Sequence, residues 1–235
     1  HSETRSGSSW RLSVITLDII IMGIYKIINR KEIMKVKEAK EITGSMTRTS
    51  KMPGLSYSLP AWECKTGAKL VKIPGSVCSG CYAMKGNYTR YPAIKKAQYA
   101  RLKALSSPQW VGAMVAQVKR QKYFRWHDAG DLQSSDHLKK IFEVCKLTPE
   151  TSHWLPTREA SILKNFKPED VPKNLTIRMS SHMVDQGPVK QWPWTSTVMS
   201  DGAQASCPAP TQGGKCGDCR NCWDRATPNV SYGKH

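Results

Sequence analysis

The chain is poor in negative charge. Its 235 residues include 18 Asp and Glu against 36 Lys and Arg, a formal net charge of +18. An acidic surface is excluded. The excess suits an anionic partner: a nucleic acid, a nucleotide-like cofactor or an acidic protein. Solvated lysine-rich helix faces would carry the same charge without any partner. Long apolar runs are missing too. Residues 19–25 are too few to cross a bilayer and are flanked by Asp18 and Lys26, so no membrane partner is expected. No signal peptide is legible, which points to the cytoplasm. A Gly-rich phosphate loop, an HExxH and a GxSxG are all absent, which removes the motif-based grounds for three large enzyme classes.

What is present is 39% hydrophobic residues, enough for a sizeable core, and eight cysteines. A chain of this length needs no disulfide staples, and its C-x-x-C units are the pattern that holds metal in a reducing compartment. The start, HSETRSGSSW, has no Met and reads as a processed or tag-derived end, with Met22, Met34 and Met46 as alternative starts. Residues 1–50 are taken as an extension, lysine-rich over 26–45. Residues 51–202 form the main domain and 203–235 a cysteine-rich tail.

From Leu55 on, β-like runs alternate with helical stretches. The runs are 55–59, 123–127, 153–157, 175–179 and 195–199. Helical spacing appears in 92–105 through Ile94, Ala97, Leu102 and Leu105, and after Ser107-Pro108 through Trp110, Val111, Met114, Val115 and Val118. From about Ser135 it runs through Leu138, Ile141, Phe142 and Cys145, which makes Cys145 a core residue. A short helix carries Ile162, Leu163 and Phe166. Alternation of this kind implies parallel strands joined by right-handed crossovers. The expected fold class is α/β, a partial or full TIM-like (β/α) barrel with a cysteine-rich C-terminal metal-binding extension; a doubly wound open sheet is the rival. Either way the polar groups gather where the strands end, at the cysteine loop, 128–131, Thr157-Arg158, Ser180-Ser181-His182 and Asp201.

Cys78-x-x-Cys81 is a chelating pair, and Cys64 can loop back as a third ligand. Thiolates suit zinc or iron–sulfur clusters. A cluster can be held by three thiolates with one iron open, whereas structural zinc takes four ligands, here with a tail cysteine as the fourth. Gly75 and Gly80 let the backbone wrap an inorganic core. In the tail, Cys207-Pro208 precedes Cys216, Cys219 and Cys222, whose C-x2-C-x2-C spacing also occurs in ferredoxin-type cluster binding; zinc is the alternative there. Asp128 and Asp131 suit an ammonium group or serve as a helix cap. Arg158 suits a carboxylate or a surface ion pair. His127 and His182 end predicted strands and are candidates for acid–base work. Trp192 and Trp194 suit core packing better than base stacking.

The pieces SLPA, CSGCYAMKGNY, FRWHDAGD, HWLPTR, TSTV and CGDCRNCW resemble the phage-encoded gene product 88 family from about Lys51 to the C-terminus. The layout also resembles radical S-adenosylmethionine enzymes. That resemblance implies a [4Fe–4S] cluster on Cys64, Cys78 and Cys81, with S-adenosylmethionine chelating the open iron. Ala129-Gly130-Asp131 would meet the methionine amino group, and Arg158 or Ser180 its carboxylate. The sequence departs from that pattern in its first gap, which is 13 residues instead of three, and in having Gly80 where an aromatic precedes the last cysteine. The expectation is therefore an iron–sulfur protein with one or two clusters, acting on a small-molecule or anionic substrate in the host cytoplasm. A reductase such as ferredoxin or flavodoxin would be its electron source. The alternative is a basic nucleic-acid-binding metalloprotein with structural zinc or cluster sites.

Overall fold

Six strands lie side by side, parallel, in the order in which the chain makes them. The computed structural model describes residues 34–234; the stretch 19–25, the first ten residues and Met22 lie outside the described residues. From Val36 on, the elements are α1 (Val36–Thr43), β1 (Thr47–Arg48), β2 (Leu55–Tyr57), α2 (Lys65–Leu70), α3 (Asn87–Arg90), α4 (Pro92–Ala104) and α5 (Trp110–Val118). They continue with β3 (Tyr123–Trp126), α6 (Ser135–Leu147), β4 (Ser152–Thr157), α7 (Ala160–Leu163), β5 (Leu175–Ser180), β6 (Thr195–Met199) and β7 (Asn229–Gly233). The sheet order is β1 to β7 without a swap. β1 pairs antiparallel with β2, and every later pair is parallel.

Among the described residues β7 does not pair with β2, so the sheet is open, and the expectation of a full barrel is corrected. Closure of a parallel barrel typically takes about eight tilted strands. The described residues supply six parallel strands, and the tail covers the face that a barrel would enclose.

The two faces of the sheet differ in chemistry because neighbouring side chains point opposite ways. One phase, with Tyr57, Phe124, Trp126, Leu155, Ile177 and Met179, joins Trp110, Met114, Leu138 and Ile141 from the helices in the main core. The other phase is Ser56, Arg125, Trp154, Thr176 and Arg178. Trp154 packs there with Cys222, Trp223 and Val230 from the tail. Thr176 Oγ1 donates to the Trp223 carbonyl at 2.7 Å, and Trp223 Nε1 donates to the Phe124 carbonyl at 3.0 Å. With both faces covered, all six residues of β5 are buried, as a central parallel strand requires.

The helices follow their patterns. α6 is capped by Ser134, whose Oγ accepts from His137 N at 3.0 Å, and it buries Leu138, Ile141, Phe142 and Cys145. Trp192 is buried in the core and donates to the Ile177 carbonyl at 2.8 Å. α4 turns its expected face inward, with Leu102 and Leu105 on the core, and the fully buried members of that face are polar, Gln98 and Arg101. Arg101 donates to Ser58 Oγ at 2.8 Å and to the Ser45 carbonyl at 2.8 and 3.1 Å, tying the β1 approach to β2.

Candidate functional site

The loop after β2 brings three thiols to the C-terminal end of the sheet. Cys64 precedes α2, and Cys78 and Cys81 follow it. A β-carbon built on Gly67 would lie 3.7 Å from Cys78 Sγ, 3.8 Å from Cys64 Sγ and 3.0 Å from Cys64 Cβ. The two sulfurs are thus no farther apart than the sum of the first two distances, and a side chain at residue 67 would fill the space between them. The Cys64 thiol is pushed up strongly, by burial first and then by the charges of Asp131, Cys81, Cys78 and Glu159. Burial also raises Cys78, against the pull of Arg158. All eight cysteines are free, and among the described residues no three His, Cys, Asp or Glu side chains stand at metal-ligand spacing. A bound cation would reverse the electrostatics that raise Cys64 and Cys78.

The loop is anchored to other strand ends. Val77 N donates to the His182 carbonyl at 2.9 Å, and Ser76 bridges to Met183. Glu159, fully buried, accepts from Thr66 N at 2.9 Å and Thr66 Oγ1 at 2.7 Å, which fixes the first turn of α2 beside Cys64. Asp131 accepts from Thr157 Oγ1 at 2.6 Å, Arg158 N at 2.9 Å and Leu132 N at 2.7 Å. Burial nevertheless raises its carboxyl to about 6. Asp128, also buried, accepts from Ser56 Oγ at 2.8 Å and Tyr88 Oη at 3.0 Å, while Tyr82 Oη donates to its carbonyl. Both carboxylates therefore have protein donors and lock loops to neighbouring strands. Gly130 has φ +80°, and a β-carbon there would meet Leu59 Cβ at 2.6 Å, so only glycine allows the β2 and β3 ends to touch. Arg158 is half-buried; its Nε donates to the Ser181 carbonyl at 3.3 Å. Ser180 shares its hydroxyl with Ser196 at 2.8 Å. His127 is buried at φ 58°, with neither ring nitrogen bonded, 5.2 Å from the His137 ring.

The tail places its cysteines on the polar face of the sheet. Cys207 N donates to the Ser231 carbonyl at 3.0 Å, and Cys216 N to the Lys51 carbonyl at 2.9 Å. Cys222 is buried, its Sγ 3.1 Å from Tyr232 Oη, and its thiol is pushed up to about 11 by burial. The charges of Cys207 and Cys219 act on Cys216, and that of Cys207 acts on Cys222, so the four thiols share one neighbourhood. Two arginines flank them. Arg178 is fully buried, and its Nε donates to the Cys222 carbonyl at 3.1 Å. Arg125 lies 4.5 Å from the centre of the Trp154 ring with its Nε unbonded. Among the described residues neither arginine has a carboxylate partner; the one ion pair is Lys139–Asp136.

The family model for gene product 88 matches residues 26–225. The chain belongs to the gene product 88 family. No curated protein and no solved structure matches it. The gene product 88 match spans both thiol sets and stops before β7. It also takes in residues that sequence reasoning passed over. Glu159 sits beside the noted Arg158 and gave no signal of its own, since a single Glu after a strand carries no pattern. Arg125 and Arg178 were hidden as alternating polar positions in strands, where a polar face is the ordinary reading.

Proposed function

We propose that this chain is an iron–sulfur protein of phage origin, with a [4Fe–4S] cluster held by Cys64, Cys78 and Cys81 and one iron open to S-adenosylmethionine or a substrate. The sheet, with its strands in sequential order, is read as an incomplete TIM-like barrel. The observation that carries this reading is the approach of the Cys64 and Cys78 sulfurs to each other over Gly67, with Cys81 three residues on, at the C-terminal ends of parallel strands, where barrel enzymes place their chemistry. Three soft donors leave one coordination position unfilled. When bound and reduced, such a cluster supplies an electron to the group on its open iron.

The chain's own residues set the stage. Glu159 and Thr66 hold α2 so that Cys64 faces Cys78. Asp131 accepts from Thr157 and Leu132 on Oδ1 and from Arg158 N on Oδ2, which positions the β3 and β4 loops and leaves Oδ2 an accepting position for an amino group. The guanidinium of Arg158 donates to protein through Nε alone, so its terminal nitrogens are the better carboxylate ligands. The tail thiols take a second metal, a cluster or zinc. With either, four thiolates leave a net charge of about −2. Arg125 and Arg178 offset that charge; without it Arg178 is a buried cation, and Arg125 a half-buried one, with no counter-ion among the described residues.

Anaerobic purification followed by iron, sulfide and zinc analysis tests the reading. Iron with sulfide is expected, reduced by one cluster's worth in a Cys64→Ala, Cys78→Ala, Cys81→Ala variant, with an EPR spectrum that changes when S-adenosylmethionine is added. Zinc alone, or an iron content that loss of the trio leaves unchanged, overturns it. An unchanged spectrum removes the cofactor and leaves the cluster.

A further inference from the structure

The opposite end of the sheet has a different chemistry. Beside the start of β2, between α1, β1 and the end of α5, lies a cleft of about 340 Å³. Its floor is apolar, with Met46, Leu55 and Ala116. Its rim carries Lys40 from α1, Arg48 from β1 and Arg120 just past α5, each exposed. Three cations from three elements thus converge on one concavity. No Asp or Glu lines it, and among the described residues none of the three is in an ion pair.

The walls are fixed. Gln117 Nε2 donates to Thr43 Oγ1 at 2.7 Å and to the Gly44 carbonyl at 3.2 Å, clamping α5 to the end of α1. Arg101 holds the carbonyl of Ser45, which also lines the cleft. The spacing of the three positive elements is therefore set before any ligand arrives, which reduces the entropy lost on binding.

We propose that this cleft seats backbone phosphates of a nucleic-acid duplex. The charge selects phosphate. The shape selects a protruding backbone over a flat surface. No aromatic side chain lines the cleft, which disfavours a single strand, since single-strand sites rely on stacked bases. Phosphate contacts alone carry no base information, so binding is independent of sequence. The site is separate from the thiol centres, and its failure would leave the metal reading untouched.

The test is fluorescence anisotropy with a short DNA duplex across a range of salt, using the full chain. Wild type is compared with the triple variant Lys40→Gln, Arg48→Gln, Arg120→Gln. A control triple, Lys146→Gln, Lys164→Gln, Lys173→Gln, removes as much exposed charge away from the cleft. Circular dichroism and metal content confirm that both variants fold. The expected result is that the cleft triple lowers the slope of log K against log salt by about 2.7, at roughly 0.9 per phosphate contact, while the control changes it little. Equal losses in the two triples, tighter binding of a single strand than of a duplex, competition by inorganic phosphate as effective as by duplex, or no wild-type binding at low salt would each overturn the proposal.

Discussion

Replacing Arg178 with Met should loosen the tail from the sheet. The guanidinium donates from Nε to Cys222 O at 3.1 Å, from Nη1 to Thr195 O at 3.2 Å and Thr227 O at 3.1 Å, and from Nη2 to Asp224 O at 2.9 Å and to Asn221 O. Met conserves most of the volume and removes all five bonds. Asn221 and Asp224 are exposed and Thr227 half-buried, so their carbonyls can turn to water; Thr195 and Cys222 are buried and cannot. Two orphaned buried acceptors cost about 2–6 kcal/mol together. Part of that is regained, because a buried cation no longer has to be desolvated. A net loss of about 3 kcal/mol lowers the melting temperature of a chain this size by roughly 6–12 °C. Arg178→Lys keeps the charge but not the planar fork, and should fall between the two. The assay is thermal melting, paired with hydrogen exchange across residues 221–227, where protection should collapse first. If Arg178→Met melts within a degree of wild type with unchanged exchange in that segment, the arginine is not what holds the tail.

Acid should destabilise the protein well above the carboxylate range. Burial lowers His137 and His153 each to about 3. Folded, both rings stay neutral; unfolded, they take up protons below about 6.5. Their contribution is complete above that pH and is lost as pH falls toward 3, at about 2 kcal/mol each by pH 5. Urea midpoints at pH 7 and pH 5 check this, and equal midpoints refute it. Gly130→Ala should cost at least about 2 kcal/mol, because φ is +80° and the new methyl would overlap Leu59, whereas Gly80→Ala, with nothing within 4 Å, should be nearly neutral in urea denaturation. Glu159→Gln keeps the size of the side chain but weakens its hold on Thr66; the loop 64–81 should become more open to proteolysis while the global melt changes little.

The strands were legible wherever a hydrophobic alternation ended in a polar cluster. The observed β3, β4, β5 and β6 fall within a residue or so of the expected runs, because burial against the helices enforces the period. β7 escaped notice because Asn229–Gly233 alternates weakly and follows a cysteine-rich stretch that reads as loop. β1 is two residues long, too short for any periodicity. In α4 the expected face does turn inward, with Leu102 and Leu105 on the core, but its fully buried members are the polar Gln98 and Arg101; hydrogen bonds to Ser45 and Ser58 offset the burial of the cation. At the site, cysteine spacing announced both thiol sets. How 128–131 is anchored was not legible, since nothing in the sequence pairs Asp128 with Ser56 and Tyr88 or Asp131 with Thr157.

The pairing of Arg178 with the tail has a consequence for biosynthesis. The arginine leaves the ribosome between 43 and 49 residues ahead of its carbonyl partners from Asn221 to Thr227, and β6 is translated some thirty residues before the strand that covers its edge. For several seconds at ordinary elongation rates the nascent sheet stands half dressed, with one flank raw and a guanidinium facing solvent. A chaperone or an adhesive neighbour has its opening then, and translational pausing over this last stretch would set the yield of finished molecules.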